Sequence, residues 1–254
     1  MLGGSEGPKV LSFVIPVLDE IDGIDVLWDA LCTAGDKLVA DGRIDTWEAV
    51  IVDDGSTDGS GAALDALAAT DDRCRISHHG VNLGLGRALR TGFGAARGGV
   101  LVYTDADLPF DLAILADLVA PVLAGTADLV SGQRIGRARE GRWRAVQSVA
   151  YNTLVRVVFR LPISDVNFAC KVFHRRALAP ALTSNSGFID AEWLVWAHRE
   201  GLRIQQVPIE FTPRQWGSST LGGAGEVVSL VRELGRHRWH LWTTAPAAVE
   251  VPRG

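Results

Sequence analysis

The chain has 254 residues, of which 47% are hydrophobic, and a formal net charge of −5 at pH 7. This apolar share can fill a sizeable core, and the net negative charge argues against a general nucleic-acid-binding protein. The three cysteines, Cys32, Cys74 and Cys170, lie far apart, which excludes a disulfide-rich framework and a cysteine-based metal cluster and favours a reducing compartment. Neither a signal segment nor a run of about 18 uncharged apolar residues is found, so no membrane-spanning helix is predicted.

The first half of the chain alternates short apolar runs with helical patterns. Four runs are predicted to be strands, at residues 10–15, 48–52, 73–77 and 100–104. Three intervening segments are predicted to be helices, at residues 23–39, 60–69 and 85–97. This order predicts the α/β class, with a mostly parallel central sheet flanked by helices on both faces.

The second half is less regular. Helices are predicted at residues 111–124, 146–160 and 188–200, and strands at residues 128–131 and 203–211. Pro208 in the last of these indicates an edge strand or a bulge. A final amphipathic helix is predicted at residues 225–242. Because no repeat, low-complexity segment or linker interrupts the pattern, residues 1–254 are predicted to form one domain.

Acidic side chains follow three of the predicted strands. The three sites are Asp19-Glu20, Asp53-Asp54 and Asp105-Ala106-Asp107. The carboxyl ends of parallel strands share one edge of a sheet, where ligands bind, so these six carboxylates are expected to crowd together. A divalent cation or the hydrogen-bond donors of a ligand would offset their repulsion. Turn and capping chemistry is the alternative, and it accounts for Thr57 and Asp58 better than for an acidic pair directly after an apolar strand.

Four motifs in this half resemble those of glycosyltransferase family 2, which has the GT-A fold. They are residues 14–20 (VIPVLDE), 52–56 (VDDGS), 82–88 (NLGLGRA) and 105–107 (DAD). Three later segments resemble signatures of the polyprenyl-phosphate (dolichol-phosphate) mannose synthases within that family. They are residues 131–134 (SGQR), 165–171 (DVNFACK) and 214–220 (RQWGSST). The resemblance implies a nucleotide-sugar half at about residues 9–110 and an acceptor half at about residues 111–220.

The resemblance also implies a donor site. Pro16, Leu18, Glu20 and Asp53 would surround the base and ribose, while Asp105 and Asp107 would hold Mg²⁺ or Mn²⁺ at the diphosphate. Further donor-binding residues would be Asp54, Gly84, Arg87 and Ala106. Pro109 replaces a glutamine often found there, so water and donor phosphates would complete the metal shell. The glycines of residues 82–86 either let the backbone approach the donor or serve packing and a tight turn.

For the acceptor, the resemblance implies five binding residues: Arg134, Asp165, Lys171, Arg214 and Ser219. Asp107, Arg134 and Glu192 are the predicted catalytic residues. Glu192 is either a base or orienting group near the acceptor or an acid that stabilises the first turn of its helix. Four histidines, His78, His79, His237 and His240, lack metal-ligand spacing and are interpreted as structural or solvated.

The expected activity is an inverting, metal-dependent transfer of a hexose, mannose or glucose, from a GDP- or UDP-sugar to a polyprenyl phosphate. Arginines cluster with apolar residues at residues 134–160, which favours a peripheral location at the cytoplasmic face of the membrane, directly or through a small membrane partner. Thr220 and Ala169 depart from the family pattern and leave a soluble acceptor, such as a natural product, saccharide or protein, as an alternative. A non-catalytic nucleotide-sugar-binding subunit is the third interpretation.

Overall fold

The central sheet is built from the apolar runs of the sequence. The computed structural model describes residues 8–135 and 142–213, and in the helix that begins at Arg142 it describes side chains from residue 148 onward. The described strands are β1 (Val10–Val17), β2 (Thr46–Asp53), β3 (Cys74–His78), β4 (Val100–Thr104), β5 (Leu129–Ile135), β6 (Cys170–His174) and β7 (Ile204–Glu210). The described helices are α1 (Ile24–Ala40), α2 (Ser60–Ala68), α3 (Leu85–Ala95), α4 (Leu115–Leu123), α5 (Arg142–Phe159) and α6 (Ile189–Arg199).

The described strands form one sheet in the order β3-β2-β1-β4-β6-β5-β7. The first four run parallel to one another, and β5 pairs in parallel with β7. Only β6, among these strands, is antiparallel to both of its neighbours. The predicted mostly parallel α/β sheet is therefore confirmed, and β7 is an edge strand of the described sheet, as Pro208 indicated.

Strand β6 was missed by the sequence patterns. Its residues, CKVFH, are buried, but a lysine in a short apolar run does not predict a central strand, because lysine is almost never fully buried unless it is paired. The fifth strand also extends further than predicted, to Ile135 instead of residue 131. Arg134 therefore lies on the strand and not in a loop after it.

Helices cover both faces of the sheet, as predicted. Successive residues of a strand point to opposite faces, and on β1 Phe13 and Ile15 belong to one buried cluster while Val14 belongs to the other. The first cluster includes residues of α1, α2 and α4, and the second includes residues of α3, α5 and α6. Among the described helices, none is long and apolar enough to cross a membrane. The predicted helix at residues 225–242 lies outside the described residues.

Candidate active site

The three acidic sites of the sequence meet at one edge of the sheet. Strands β2, β1 and β4 are direct neighbours, and Val17 at the end of β1 is in register with Asp53 at the end of β2. The backbone N–H of Asp54 donates to the carbonyl of Val17 at 2.8 Å. The Asp105-Ala106-Asp107 segment follows β4 on the other side of β1. Because these three strands are neighbours in the sheet, their carboxyl ends together form one acidic edge.

The loop after β2 is pinned to the loop after β1 by polar side chains. Asp19 has a left-handed backbone, with φ of 53°, and its carboxylate accepts the backbone N–H of Thr57 at 2.7 Å. Asp58 accepts the N–H of Ile21 at 3.0 Å and the hydroxyl of Ser60 at 2.6 Å. Asp19 and Asp58 therefore hold the two loops of the site together by hydrogen bonds.

Asp53 is buried at the end of β2, with 5% exposure. One carboxylate oxygen accepts the backbone N–H of Ser56 at 2.9 Å. The other lies 2.8 Å from Nδ1 of His78. Burial raises the pKa of Asp53, but the hydrogen bonds from Ser56 and His78 outweigh burial, and the net pKa is below its usual range. Asp53 is therefore a buried, ionised acceptor held from two sides.

The neighbouring Asp54 organises the glycine-rich loop. Its oxygens accept the backbone N–H groups of Leu83 at 3.0 Å and of Gly84 at 2.8 Å. The imidazole Nδ1 of His79 lies 2.6 Å from the same carboxylate. These three hydrogen bonds to Asp54 fix the start of α3. Contact between Asp54 and the sugar-nucleotide donor remains a prediction.

Backbone packing accounts for the glycines of this loop. Gly84 has φ of +91°, and a Cβ there would lie 2.3 Å from the carbonyl oxygen of Asn185. A Cβ on Gly86 would lie 2.2 Å from the carbonyl oxygen of Ser184. The guanidinium of Arg90 also donates to both of these residues. The packing alternative therefore explains the two glycines without any ligand.

The Asp105-Ala106-Asp107 segment forms a tight turn at the end of β4. The N–H of Leu108 donates to the carbonyl of Asp105 at 3.3 Å, and Leu108 has a left-handed φ of 49°, which L-residues with side chains seldom adopt. The hydroxyl of Tyr103, whose pKa burial raises well above its usual value, donates to Asp105 at 3.4 Å. A neutral phenol donor therefore supports one carboxylate of the pair.

These two carboxylates fit a metal ion that arrives with a ligand. Within the described residues, no group of three or more histidine, cysteine or acidic side chains is placed to hold a metal. Mg²⁺ is commonly held by one or two carboxylates together with substrate phosphates and water. Asp105 and Asp107 can supply that protein share, and a diphosphate would supply the rest.

Arg134 and Asp165 form a close ion pair at the ends of β5 and of the loop before β6. The guanidinium donates through Nε and Nη2 to the two carboxylate oxygens, at 2.9 Å each, and the backbone N–H of Arg134 adds a bond of 3.0 Å. Asp165 is 1% exposed and the arginine side chain 15%. The guanidinium also lies 5.5 Å from the ring centre of Phe168. The structure thus brings two predicted acceptor residues together.

Helix α5 supports this pair through two residues that the sequence patterns missed. Ser148 accepts a hydrogen bond from Arg134 at 3.1 Å. Asn152, which is 5% exposed, accepts the backbone N–H of Val166 at 2.7 Å. A polar residue in the middle of an amphipathic helix carries little local signal, so only the folded arrangement identifies them. They fix α5 against the segment that contains Asp165.

Lys171 is fully buried on β6. Its ammonium lies 2.7 Å from a carboxylate oxygen of Asp190 and donates to the carbonyls of Val166 and Phe168 at 3.1 and 2.9 Å. The ammonium thus has one ion-pair partner and two hydrogen-bond acceptors. In this arrangement any influence of Lys171 on an acceptor is indirect, through the position of residues 166–168, and not the direct contact that was predicted.

Glu192 in the first turn of α6 holds a loop. Its carboxylate accepts the backbone N–H and the hydroxyl of Thr183 at 2.9 and 2.8 Å, and the N–H of Ser184 at 2.9 Å. The same loop packs on Gly84 and Gly86 at the start of α3. Through these contacts Glu192 fixes the position of Thr183 and Ser184 within the protein.

The other predicted site residues differ in accessibility. Pro16 and Leu18 are half-buried, Glu20 and Ala106 are buried, and Arg87 is exposed. Arg214 and Ser219 lie outside the described residues. The backbone N–H of Thr212 donates to the carbonyl of Pro109 at 2.9 Å, so the chain passes beside the acidic turn shortly before residue 214.

Three known proteins are similar in sequence to this chain. Polyprenol monophosphomannose synthase of Mycolicibacterium smegmatis is 36% identical over 200 residues, which cover 73% of this chain and 75% of that protein. Undecaprenyl-phosphate mannosyltransferase of Micrococcus luteus is 30% identical over 240 residues, which cover 89% and 94%. Glycosyltransferase AglD of Haloferax volcanii is 36% identical over 203 residues, which cover 78% of this chain but only 32% of AglD. This chain therefore spans about a third of the length of AglD.

A solved structure and a family profile also match this chain. Glucosyl-3-phosphoglycerate synthase from Mycobacterium tuberculosis, in complex with Mn²⁺, UDP and phosphoglyceric acid, superposes with a TM-score of 0.67 at 21% identity, covering 95% of this chain and 81% of that chain. At this identity the likeness shows the fold alone. The profile of Glycosyl transferase family 2 matches residues 12–180. With its mostly parallel sheet and acidic edge, the chain belongs to glycosyltransferase family 2, is a glycosyltransferase and has the GT-A fold.

Proposed function

We propose that this enzyme transfers a hexose, mannose or glucose, from a nucleoside-diphosphate sugar to a polyprenyl phosphate. The donor half of this proposal rests on one observation. Strands β2 and β4 flank β1, so Asp53 at the end of β2 and the Asp105–Asp107 turn after β4 lie at the same edge of the sheet. The acceptor half is supported by the two mannosyl-transferring relatives, whose names state polyprenol and undecaprenyl phosphate.

On the donor side, Asp53 is the proposed acceptor for N–H groups of a guanine or uracil base. Its lowered pKa keeps it ionised at neutral pH, and the half-buried Pro16 and Leu18 flank Val17, which is in register with Asp53. Asp105 and Asp107 would hold a divalent cation, which supplies neutralisation of the charge that builds on the departing diphosphate. These residues bind and orient the donor for displacement at its anomeric carbon.

On the acceptor side, the proposed ligand is a phosphate monoester on a lipid. A phosphate with a second pKa of about 6 is largely dianionic at neutral pH, so it attacks without a strong protein base. One bond forms from the phosphate oxygen to the anomeric carbon as the bond to the diphosphate breaks, and a single displacement inverts that centre. Arg134, whose guanidinium lies over the Phe168 ring and donates to both carboxylate oxygens of Asp165, is the proposed cation beside the acceptor.

The outward face of α5 supports a location at a membrane surface. Val149, Leu154 and Val157 are 55%, 41% and 72% exposed, and Arg156 and Arg160 are exposed near them. Basic residues interleaved with aliphatic ones are typical of helices that lie in a lipid interface. The inner face of the same helix contacts Arg134 through Ser148. A lipid surface bound by α5 would thus bring the acceptor phosphate near Arg134.

The decisive experiment is a panel of GDP- and UDP-mannose and GDP- and UDP-glucose, with Mg²⁺ or Mn²⁺, offered with polyprenyl phosphates or with soluble acceptors. The expected product is a β-linked polyprenyl phosphohexose from an α-linked donor. Transfer only to a soluble alcohol or sugar would overturn the lipid acceptor. Neither transfer nor donor hydrolysis with any pair would overturn the catalytic assignment and favour the nucleotide-sugar-binding interpretation.

We expect Asp53→Ala to weaken the binding of the nucleoside diphosphate as much as that of the sugar nucleotide. Loss of a hydrogen bond to a charged acceptor predicts a loss of about tenfold or more in affinity. Titration calorimetry with GDP, UDP and the matching sugar nucleotides measures both. Asp45→Ala is the remote acidic control, because Asp45 lies at the opposite end of the sheet before β2. A variant that loses only discrimination between sugars would contradict the nucleoside role.

We expect Val157→Glu to reduce binding to anionic phospholipid vesicles by about tenfold, because it replaces an exposed aliphatic side chain that the lipid would bury with a negative charge. Co-sedimentation with vesicles measures the effect. Val39→Glu is the matched control, since Val39 is an exposed valine of α1, a helix of the opposite face. Equal vesicle binding by wild type and Val157→Glu would contradict a membrane contact through α5.

A further inference from the structure

His78 bridges the end of β2 and helix α2. Its Nδ1 lies 2.8 Å from a carboxylate oxygen of Asp53, and its Nε2 lies 3.0 Å from a carboxylate oxygen of Asp65. The imidazole is 39% exposed and Asp65 is 68% exposed, whereas Asp53 is buried. One ring nitrogen therefore reaches into the site and the other faces the surface.

This geometry favours a doubly protonated ring, since both partners are carboxylates. A neutral imidazole has one donor nitrogen and one acceptor nitrogen, and only the imidazolium donates from both. Asp53 of β2 and Asp65 of α2 are the charged groups that act on His78, and their hydrogen bonds raise the pKa of His78 above its usual value. With carboxylate partners on both ring nitrogens, His78 fits the structural alternative of the sequence interpretation and not the solvated one.

The pair also defines the state of Asp53. Burial alone would raise the pKa of Asp53, and the hydrogen bond from His78 is one of the contacts that lower it. The other contacts that lower it come from the side chain and the backbone of Ser56, and the backbone N–H bonds the other carboxylate oxygen. His78 therefore bonds the second oxygen and, together with Ser56, keeps the group ionised.

We infer that His78 is a positioning residue for nucleoside recognition: it holds Asp53 in the orientation in which that carboxylate accepts the N–H groups of the donor base. The inference rests on the proposed nucleoside role of Asp53. His78 itself contacts neither base nor sugar in this proposal. The neighbouring His79 has a different task, since it binds Asp54 and Thr91 at 2.6 and 3.0 Å and so supports the loop before α3.

Two isosteric substitutions separate the two contacts of His78. In His78→Asn the amide nitrogen stands near the position of Nδ1 and can still donate to Asp53. In His78→Gln it stands near the position of Nε2 and can donate only toward Asp65. We expect His78→Gln to weaken GDP or UDP binding by about tenfold and His78→Asn by less than about threefold, with kcat at saturating donor unchanged in both. Titration calorimetry and donor KM measure the difference, and thermal melting verifies folding.

The pH dependence provides a second readout. Asp53 must be ionised to accept from the base, so affinity falls as pH drops through the pKa of Asp53. Without the contact from His78 that pKa rises, and the acidic loss of nucleotide affinity should therefore begin at a higher pH in His78→Gln than in wild type. Asp65→Asn keeps the contact with Asp53 and should bind nucleotide within about twofold of wild type at neutral pH.

The outcomes distinguish a failure of the positioning role of His78 from a failure of the nucleoside role of Asp53. If Asp53→Ala weakens nucleotide binding while both His78 variants bind like wild type, or both weaken it equally, the positioning role is overturned and the donor site stands. If Asp53→Ala binds nucleotide normally, the nucleoside role of Asp53 fails and the positioning role falls with it. Weaker binding in His78→Gln than in His78→Asn, with an acidic limb at higher pH, supports the inference.

Discussion

Asp107→Ala is expected to abolish sugar transfer, with a loss in kcat of at least about a hundredfold, as for removal of one group that stabilises transition-state charge. Asp107 belongs to the acidic turn at the end of β4 and lines a cavity of about 530 Å³ between α1 and the segment before α4. The substitution therefore removes a charge from a cavity wall and leaves the core intact. Release of nucleoside diphosphate from the sugar donor, with Mg²⁺ or Mn²⁺ present, measures the loss.

This prediction has two controls, a second acid of the same cavity and removal of the metal with a chelator. Asp111 also lines the cavity, and its side chain accepts the backbone N–H of Ala113 at 2.8 Å. Asp111→Ala should therefore keep most of the activity, although it removes an acid from the same wall. Excess chelator should abolish activity in the wild-type enzyme. Full activity in Asp107→Ala, or undiminished wild-type activity in chelator, would refute the proposed metal role.

Lys171→Met is expected to lower the free energy of unfolding by about 3 kcal/mol, because removing one partner of a buried pair leaves the other charge without compensation. Lys171 and Asp190 are 0% and 3% exposed at their side chains, so solvent cannot replace the lost partner. The ammonium also holds the carbonyls of Val166 and Phe168, next to Asp165. Urea unfolding measures the change in stability, and acceptor kcat/KM should fall with it.

The pH dependence of this loss has a defined sign. Burial raises the pKa of Asp190, and Lys171 opposes that rise. Without Lys171 the folded-state pKa rises further, so the penalty is present at neutral pH and shrinks as pH falls toward the ordinary aspartate pKa of about 4. The double variant Lys171→Met/Asp190→Asn should regain at least about 1 kcal/mol at neutral pH. A loss independent of pH, with no recovery in the double variant, would mean that packing and not charge dominates.

The sequence by itself determined the class of the protein and the order of its motifs. Short apolar runs that alternate with helical patterns, as at β2 and β4, indicate central strands of a covered sheet, and acids directly after them are expected at a sheet edge. Both conclusions depend on neighbours along the chain. The family could be recognised for the same reason, because each of its motifs is a contiguous segment of the chain. These segments are residues 14–20, 52–56, 82–88 and 105–107.

Tertiary structure decided which protein groups hold each polar side chain at the acidic edge. Asp53 and Asp54 are adjacent and chemically identical, yet one is held by His78 and the other fixes the loop that ends at Gly84. The partners come from β3 and from the start of α3, at least 25 residues away, so no local pattern separates the two carboxylates.

The same reason explains the strand that the sequence missed. Lys171 argues against a buried strand when only its neighbours are considered, and Asp190, which neutralises it, lies on helix α6. Arg134 and Asp165 were each recognised by motif, but their bidentate pairing and its support by α5 depend on how β5 ends beside the loop before β6. Hydrogen bonds and ion pairs between distant segments are satisfied only after the sheet has assembled, and for that reason only the folded structure reveals them.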